Sequence, residues 1–226
     1  ASETLSCHPD FQLVARLGRN DDLAAAISKH EAEIVLDLTS AESVFTNSLT
    51  IINHNASPVI GTSGLNAKEI HELQHLCQEK NIGGLIVPNF SIAAVLMMRF
   101  AAVAARYFPE VEIIEAHHPQ KLDAPSGTAI KTADVISSAR VKDKQVLPLK
   151  ESIPGARGAA CHEVPVHSLR LPGILARQDV IFGQEGETLT FTHNSIDRAS
   201  FMPGVVLACL RVVHLNTLYY GLEHIL

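Results

Sequence analysis

Positive charge is scarce in this chain of 226 residues. Lysine and arginine number 18 against 24 acidic residues, so the formal charge is −6, and no basic stripe interleaved with aromatic residues occurs. Because nucleic-acid-binding surfaces need clustered positive charge, we expect no nucleic-acid partner. Apolar residues nevertheless make up 46% of the chain, which is enough for the core of one large domain or two modest ones.

Cysteine is also scarce, and its positions are scattered. The four cysteines, with no CxxC pair among them, are Cys7, Cys77, Cys161 and Cys209. Isolated thiols of this kind are typical of small buried hydrophobic residues in a reducing cytosol, whereas a disulfide framework needs more and closer cysteines. We therefore expect reduced cysteines and a cytoplasmic protein.

Long apolar runs are missing as well. The longest strongly apolar run, near residues 205–218, is broken by Arg211, His214 and Asn216. A membrane-spanning helix needs about 20 predominantly apolar residues, and the sequence does not open with a charged segment followed by an apolar one. These absences predict a soluble, unexported protein with no membrane partner.

In the first part of the chain, short apolar segments alternate with amphipathic ones. Apolar runs bounded by turn residues predict strands at residues 33–39, 58–64 and 84–89, with helices between them. This alternation predicts an α/β fold with a doubly wound, Rossmann-like parallel sheet. Ligands of such sheets bind at the carboxyl ends of the strands.

The second part of the chain has a different pattern of apolar and polar residues. After a helix at residues 91–107, we expect a strand at 111–118, a helix at 127–139, and strands with strict two-residue alternation at 163–171 and 187–193. This pattern predicts an α+β domain with an open mixed, mainly antiparallel sheet. One helix layer covers only one face of such a sheet, so we expect an oligomer. Residues 201–226 are apolar and predict a final helix that returns to the first domain.

The segment from His71 to His75 matches the HExxH pattern of zinc proteases. At about 100° per residue, Leu73 and Cys77 lie on one side of the predicted helix, and both histidines project from the other side. A catalytic zinc site needs a sheltered cavity and a third ligand. We therefore interpret the two histidines as surface residues and predict no metal site.

The stretch "EAHHPQKLDAPSGTA", residues 115–129, has the composition of an anion-binding site. Ser126 is a good N-cap, and Gly127 and Thr128 open the predicted helix. Their backbone amides, the Thr128 hydroxyl and the positive helix end together form a cradle for an anion.

Three basic side chains precede this helix start: His117, His118 and Lys121. Their convergence with an open helix N-terminus predicts a pocket for a small anion such as a carboxylate. The alternative is that the histidines merely end a strand and that Lys121 is a solvated loop cation. Asp123 has the role of positioning the turn or of orienting Lys121 through a charge-assisted hydrogen bond.

Residues 115–129 resemble the signature of the dihydrodipicolinate reductase family of lysine biosynthesis. GTSG at residues 61–64 is similar to the family's nicotinamide loop, and PNFS at residues 88–91 is similar to its hinge. Residues 171–183 and 193–201 are also similar to later family segments. The resemblance thus extends over essentially the whole chain.

The resemblance implies reduction of 4-hydroxy-tetrahydrodipicolinate, a cyclic imine dicarboxylate, by NAD(P)H in lysine and diaminopimelate biosynthesis. The implied catalytic residues are His117 and Lys121. The substrate-binding residues are His118, Lys121, Ser126, Gly127 and Thr128. The predicted cofactor-binding residues combine those that the family implies with those at the carboxyl ends of the predicted parallel strands. They are Arg19, Thr39, Gly61, Thr62, Ser63, Pro88, Asn89, Phe90 and Arg198. Residues 1–90 and 198–226 would form a dinucleotide-binding domain, and residues 91–197 a domain for substrate binding and oligomerisation.

One family feature is missing. A dinucleotide-binding domain of this kind opens with a strand and a Gly-x-x-Gly-x-x-Gly loop that approaches the pyrophosphate, but the first residues read as the helix that follows such a loop, and residues 11–17 as the second strand. Either the first strand and loop are missing from the chain, or the protein is a non-catalytic dicarboxylate-binding paralogue. Hydrolysis through Ser126 and His117 is weakly supported, because the sequence has no G-x-S-x-G elbow.

The residues after this second strand bear on cofactor choice. Gly18 stands where an acidic residue would bind the ribose 2′-hydroxyl of NAD, and Arg19 follows. Because a guanidinium suits a 2′-phosphate, we expect NADPH to be preferred and NADH to be used as well. The alternative is that Arg19 is a solvated surface cation.

Overall fold

The computed structural model describes residues 1–140 and 150–226. The strands of the described chain are β1 Ile34–Asp37, β2 Ser57–Ile60, β3 Gly84–Ile86, β4 Glu110–His117, β5 Ala159–Cys161, β6 Val164–Arg170, β7 Ala176–Gln184, β8 Glu187–Ser195 and β9 Leu218–Tyr220. The helices are α1 Ser2–Ser6, α2 Leu23–His30, α3 Val44–Asn53, α4 Ala67–Lys80, α5 Ile92–Ala104, α6 Gly127–Ala139 and α7 Met202–Val212, with 3₁₀ turns at Arg198–Phe201 and Leu222–Ile225. These elements form two compact units, one of Ala1–Ile92 with Phe201–Leu226 and the other of Ala93–Ser200.

The first unit is built on a parallel sheet with strand order β1-β2-β3-β9. Strands β2 and β3 are completely buried, and apart from Ser57 they consist of apolar residues and glycine, as is typical of strands covered on both faces. The helices α3 and α4 contribute Ile52 and Leu73 to the core that includes Ile60 of β2 and Ile86 of β3. The Rossmann-like parallel sheet predicted from the alternation of strands and helices is confirmed.

Two predictions for the first unit are wrong in detail. The predicted strand at residues 11–17 is not a strand, although Phe11, Leu13 and Ala15 are half-buried and alternate with exposed residues. A strand is defined by hydrogen bonds to a neighbour, and no described strand pairs with this segment. The predicted final helix ends at Val212, and the chain then adds β9 beside β3, with Leu218 buried in the core.

The second unit contains a five-stranded sheet with order β5-β6-β4-β7-β8. The central strand β4 runs parallel to β6 and antiparallel to β7, and the other pairs are antiparallel. The open mixed, mainly antiparallel sheet is therefore confirmed. Alternate residues of β4, β6 and β7 pack against α6 in one core, for example Ile113, Val166, Phe182 and Ile136.

Candidate active site

The site begins where β4 ends and α6 starts. The hydroxyl of the buried Ser126 accepts a hydrogen bond from the Ala129 amide at 3.2 Å, so Ser126 is the N-cap, as predicted. Gly127 is exposed, and a Cβ atom added to it would meet nothing within 4 Å, so there is open space beside the first residue of the helix. The helix end therefore has room for a ligand beside amides that bear partial positive charge.

Lys121 and Asp123 form an ion pair in the loop between β4 and α6. The Lys121 Nζ atom lies 2.8 Å from Asp123 Oδ1 and 2.9 Å from Asp123 Oδ2. Lys121 lowers the pKa of the exposed Asp123 carboxyl through this hydrogen bond. The interpretation that Asp123 orients Lys121 is supported by this geometry. His118, on the same loop, contacts Gln120 Oε1 through Nδ1 at 3.1 Å.

Glu115 is a fully buried carboxylate at the centre of the site. Its Oε2 atom lies 2.6 Å from His117 Nδ1 and accepts a hydrogen bond from Arg170 Nη1 at 3.1 Å, and its Oε1 atom accepts one from Arg170 Nη2 at 3.0 Å. Burial alone would raise the pKa of Glu115. The hydrogen bonds from Arg170, Ser168 and His117 outweigh burial and hold that pKa below its usual value.

Arg170 also fixes the loop that carries Lys121. It is the register partner of His117 in the parallel pair of β4 and β6. Its Nε atom donates to the Lys121 carbonyl oxygen at 3.3 Å, and its Nη2 atom donates to the Asp123 carbonyl oxygen at 2.6 Å. One guanidinium therefore links the buried carboxylate, the strand end and the loop.

His117 is half-buried, and its surroundings shift its titration. Burial lowers the pKa of the imidazole, Glu115 opposes this by hydrogen bonding and by charge, and the charges of Lys121 and Arg170 lower the pKa further. The net effect is a pKa below the usual histidine value. The lowered pKa favours the neutral ring at pH 7 in the free protein.

Glu115 and Arg170 were missed as functional residues by the sequence analysis. The signal for Glu115 was present, because two-residue alternation along β4 places it in the same inward row as Val111 and Ile113. A carboxylate in a row of core positions needs a buried partner. That partner could not be named, since Arg170 lies 55 positions away in the sequence.

In the first unit, Asp37 organises the carboxyl ends of β1 and β2. This buried side chain accepts hydrogen bonds from the Thr39 amide at 2.9 Å and hydroxyl at 2.6 Å, from the Thr62 hydroxyl at 2.9 Å, and from Asn47 Nδ2 at 2.9 Å. Two predicted cofactor-binding residues, Thr39 and Thr62, are thus held together by one carboxylate. Asp37 and Asn47 were not predicted as site residues.

The loops after β2 and β3 have little steric freedom. A Cβ atom on Gly61 would lie 2.6 Å from side-chain atoms of both Leu38 and Phe90, and Gly64 has a φ of +124°. On α7, a Cβ atom at Gly204 would overlap the carbonyl oxygen of Phe90. Glycine at these positions lets the loops and α7 approach closely, which fixes the strand ends where ligands of parallel sheets bind.

The remaining predicted cofactor residues are more exposed. Ser63 and Pro88 are exposed, and Asn89 is half-buried, with Oδ1 accepting a hydrogen bond from the Ser91 amide at 2.8 Å. Arg19 is exposed in the first unit beside the turn in which the Gly18 amide donates to Asp21. Arg198 is exposed in the 3₁₀ turn at the end of the second unit.

The HExxH segment lies on α4 with the predicted orientation. His71 and His75 are exposed, whereas Leu73 and Cys77 are buried. Residues 1–140 and 150–226 contain no group of three or more His, Cys, Asp or Glu side chains arranged to hold a metal ion.

All four cysteines are free thiols. Cys77 and Cys209 are buried, as predicted, and burial raises the pKa of each to about 12. Cys161 is half-buried. The prediction is wrong for Cys7, which is exposed because it follows the short α1 at the surface. Across the two described ranges, no helix is both long and apolar enough to cross a membrane.

Comparison with known proteins decides the family. The N-terminal family model of dihydrodipicolinate reductase matches residues 2–90, and the C-terminal model matches residues 93–226. The chain belongs to the dihydrodipicolinate reductase family. The resemblance of residues 115–129 to this family is therefore confirmed.

Similar proteins of the dihydrodipicolinate reductase family cover nearly the whole chain. A 4-hydroxy-tetrahydrodipicolinate reductase of Legionella pneumophila strain Philadelphia 1 is 62% identical over 226 residues, which is 100% of this chain and 93% of that protein. One of Coxiella burnetii strain Dugway 5J108-111 is 49% identical over 224 residues, covering 99% of this chain and 92% of that protein.

A solved structure shows the same family fold. The dipicolinate-bound dihydrodipicolinate reductase of Paenisporosarcina sp. TG-14 matches with a TM-score of 0.93 at 41% identity, covering 99% of this chain and 93% of that chain. The predicted fold class is confirmed, and the non-catalytic paralogue is not favoured, since the curated relatives named above are reductases.

Proposed function

We propose that this protein catalyses the NAD(P)H-dependent reduction of 4-hydroxy-tetrahydrodipicolinate to tetrahydrodipicolinate, a step of lysine and diaminopimelate biosynthesis. The observation that carries the proposal is the arrangement between β4 and α6. A buried Glu115–Arg170 pair supports His117, Lys121 is held by Asp123, and the capped start of α6 is open. Family membership supplies the reaction class.

The substrate is a dicarboxylate, and the site offers complementary groups. The residues that would bind its carboxylates are His118, Lys121, Ser126, Gly127 and Thr128. The amides and hydroxyl at the start of α6 suit one carboxylate because the helix end is positively polarised. The Lys121 ammonium suits a second negative charge, since it can exchange part of its contact with Asp123 for the ligand.

His117 and Lys121 would carry the proton transfer. The 4-hydroxyl group must leave as water, which gives a conjugated imine. When bound, the reduced nicotinamide would supply hydride to a carbon of this conjugated system, and the resulting enamine-like anion must then gain a proton. His117 would donate that proton, and Lys121 would stabilise the negative charge that precedes it. The pKa of His117 is low in the free protein, but a bound dicarboxylate would favour the imidazolium because it adds nearby negative charge.

The reduced nicotinamide dinucleotide would bind at the carboxyl ends of β1, β2 and β3. The residues assigned to it there are Thr39, Gly61, Thr62, Ser63, Pro88, Asn89 and Phe90. The fit is supported by Asp37, which holds Thr39 and Thr62 together, and by the glycines that fix the loops. The assignment of Arg198 depends on the family resemblance alone.

Loss of NADPH absorbance on addition of 4-hydroxy-tetrahydrodipicolinate tests this proposal. We expect turnover by the wild type, a lower kcat in His117→Ala, and both a lower kcat and a higher KM in Lys121→Ala. Lys131→Ala is the matched control, because Lys131 is an exposed lysine on α6 paired with Asp134. Near-normal rates in both site variants would show that these residues do not have the assigned roles.

Cofactor preference forms a separate part of the proposal. We infer that NADPH is preferred and NADH is also used, since exposed Arg19 is available to pair with a 2′-phosphate. Specificity constants for both cofactors should fall selectively for NADPH in Arg19→Ala. The absence of a selective loss with NADPH would contradict this inference, and unchanged constants for both cofactors would identify Arg19 as a solvated surface residue.

The proposed assembly is a homotetramer in the cytoplasm. Helix α6 packs on one face of the second unit's sheet, while the other face carries partly exposed apolar side chains such as Ile114, Leu169 and Ile181. A second copy of this chain would cover that face. Sedimentation velocity should give the mass of four chains, and Ile181→Asp should shift it toward smaller species; a monomeric wild type would contradict the assembly.

A further inference from the structure

We propose that Glu115 and Arg170 are positioning residues that hold His117 in a single tautomer, with hydrogen on Nδ1 and the lone pair on Nε2. Nε2 would then be the atom that exchanges a proton with the substrate. This inference rests on the proposed role of His117 and deepens it. It assigns a task to the buried pair that the proposed reaction does not otherwise use.

The tautomer follows from the acceptor that His117 faces. An ionised carboxylate has only acceptor sites, so the His117 Nδ1 atom, 2.6 Å from Glu115 Oε2, must donate. A neutral imidazole carries one hydrogen, and with Nδ1 as the donor the lone pair must be on Nε2. The side chain of Glu115 is completely buried, so water does not compete for this contact.

Arg170 keeps Glu115 in the required charge state. A buried carboxyl group without a partner would take up a proton, and a protonated carboxyl could donate to Nδ1 and reverse the tautomer. The two hydrogen bonds from Arg170 lower the pKa of Glu115 despite burial. Arg170 therefore acts on His117 through Glu115.

Several charged groups surround His117, and their combined effect determines the pH at which its ring titrates. Glu115 lies on the same strand, Arg170 comes from β6, and Lys121 with Asp123 comes from the following loop. On β7, the strand paired with the other side of β4, the register partners of His117 and Glu115 are the uncharged Ala176 and Gln178, and β8 places His193 opposite Gln178. Arg177 and Asp179 alternate to the opposite face of the sheet, where they bond to each other at 2.9 Å. The start of α6 adds partial positive charge. Glu115 is the anion that contacts the ring, so its neutralisation makes the imidazolium harder to form.

Glu115→Gln is the test variant because it keeps the shape of the side chain and removes its charge. A glutamine amide at the Oε2 position would face His117 Nδ1 and force the ring to accept, while Arg170 Nη1 keeps its bond to the Leu169 carbonyl oxygen at 2.7 Å. We expect a neutral His117 with hydrogen on Nε2. Nitrogen NMR of the histidine rings in the free full-length protein reports this directly.

Kinetics provide the second readout. We expect kcat of Glu115→Gln to fall by about 10²-fold, a loss within the range that general acid–base catalysis contributes, while KM changes little. The limb of the pH profile that reports His117 should move to lower pH. A purely structural role would lower the amount of folded protein without moving this limb or the ring signals.

Glu112→Gln is a matched control on the same strand. Glu112 also lies between a histidine and an arginine, since Oε2 contacts His167 Nε2 at 2.8 Å and Oε1 contacts Arg157. This variant should keep the wild-type pH profile and the wild-type His117 signals. Arg170→Lys keeps the positive charge but loses the two-pronged contact with Glu115, so it should give a mixture of the two His117 tautomers. This variant is the test if Glu115→Gln does not fold.

The outcomes separate this inference from the proposed function. A wild-type His117 with hydrogen on Nε2 would overturn the inference before any variant is made. Unchanged ring signals in both Glu115→Gln and Arg170→Lys would also overturn it, as would a rate loss no larger than that of Glu112→Gln. If the wild type does not reduce the dicarboxylate, the proposed function fails, while the ring signals still decide the tautomer.

Discussion

Removal of the Asp37 side chain tests how the carboxyl ends of β1 and β2 are held. Asp37→Ala deletes the acceptor for four hydrogen bonds, two from Thr39, one from Thr62 and one from Asn47. The two hydroxyls have nearby alternatives, since Thr39 Oγ1 lies 3.1 Å from Ser43 Oγ and Thr62 Oγ1 lies 3.4 Å from the Asp37 carbonyl oxygen. Asn47 Nδ2 keeps a longer bond to Thr39 Oγ1 at 3.3 Å, so the Thr39 amide is the donor that loses its acceptor outright.

The expected cost follows from the four bonds lost. A hydrogen bond contributes about 0.5–1.5 kcal/mol net, so loss of four would lower the free energy of unfolding by about 2–6 kcal/mol. Thr39 is exposed, so water can replace part of what its amide loses. The expected decrease in the free energy of unfolding is therefore about 2–4 kcal/mol. Asp37→Asn keeps one acceptor oxygen for three of the bonds and should cost about half as much.

Urea unfolding followed by circular dichroism measures this difference, since the chain has no tryptophan to report by fluorescence. Asp22→Ala is the control in the same unit, because Asp22 accepts one hydrogen bond, from the Ala25 amide at 3.0 Å, and its loss should cost about 1 kcal/mol. Asp37→Ala should also raise KM for NADPH more than KM for the dicarboxylate. Equal stability losses in Asp37→Ala and Asp22→Ala would refute the reasoning.

Three further predictions concern the second unit and the thiols. Ser126→Ala removes the N-cap of α6 and should lower the free energy of unfolding by about 1 kcal/mol, as measured in urea. Glu115 has a lowered pKa in the folded state, so its contribution to stability is complete above the unfolded pKa and is lost as pH falls through the lower folded value; urea midpoints should therefore drop less on acidification in Glu115→Gln than in the wild type. A thiol reagent should label Cys7 rapidly in the folded protein and leave Cys77 and Cys209 unmodified until unfolding, because burial raises the pKa of both to about 12.

Local sequence patterns predicted much of this fold. Continuous apolar runs predicted β1, β2 and β3, two-residue alternation predicted β6 and β8, and a Ser-Gly-Thr sequence predicted where α6 begins. These features depend on neighbouring residues along the chain, so they can be read without tertiary contacts. The same reasoning located the stretch from Glu115 to Ala129 as the chemical centre.

Pairing between segments that are far apart in sequence could not be predicted in this way. Residues 11–17 alternate like a strand but have no partner among the described strands, and the chain after Val212 forms β9 beside β3 where a helix was predicted. Strand pairing satisfies backbone hydrogen bonds between segments far apart in sequence. Local periodicity carries no information about which segments meet.

The sequence by itself determined which chemical groups this protein presents: two histidines, a lysine and a polarised helix start within one short stretch. Only the tertiary structure decided how they are supported, because Arg170 reaches Glu115 from a neighbouring strand 55 positions away, and Asp37 binds Thr62 across two strand ends. A buried charge is stable only beside a specific partner. That partner is chosen by the register of the sheet, which exists only once the chain has folded.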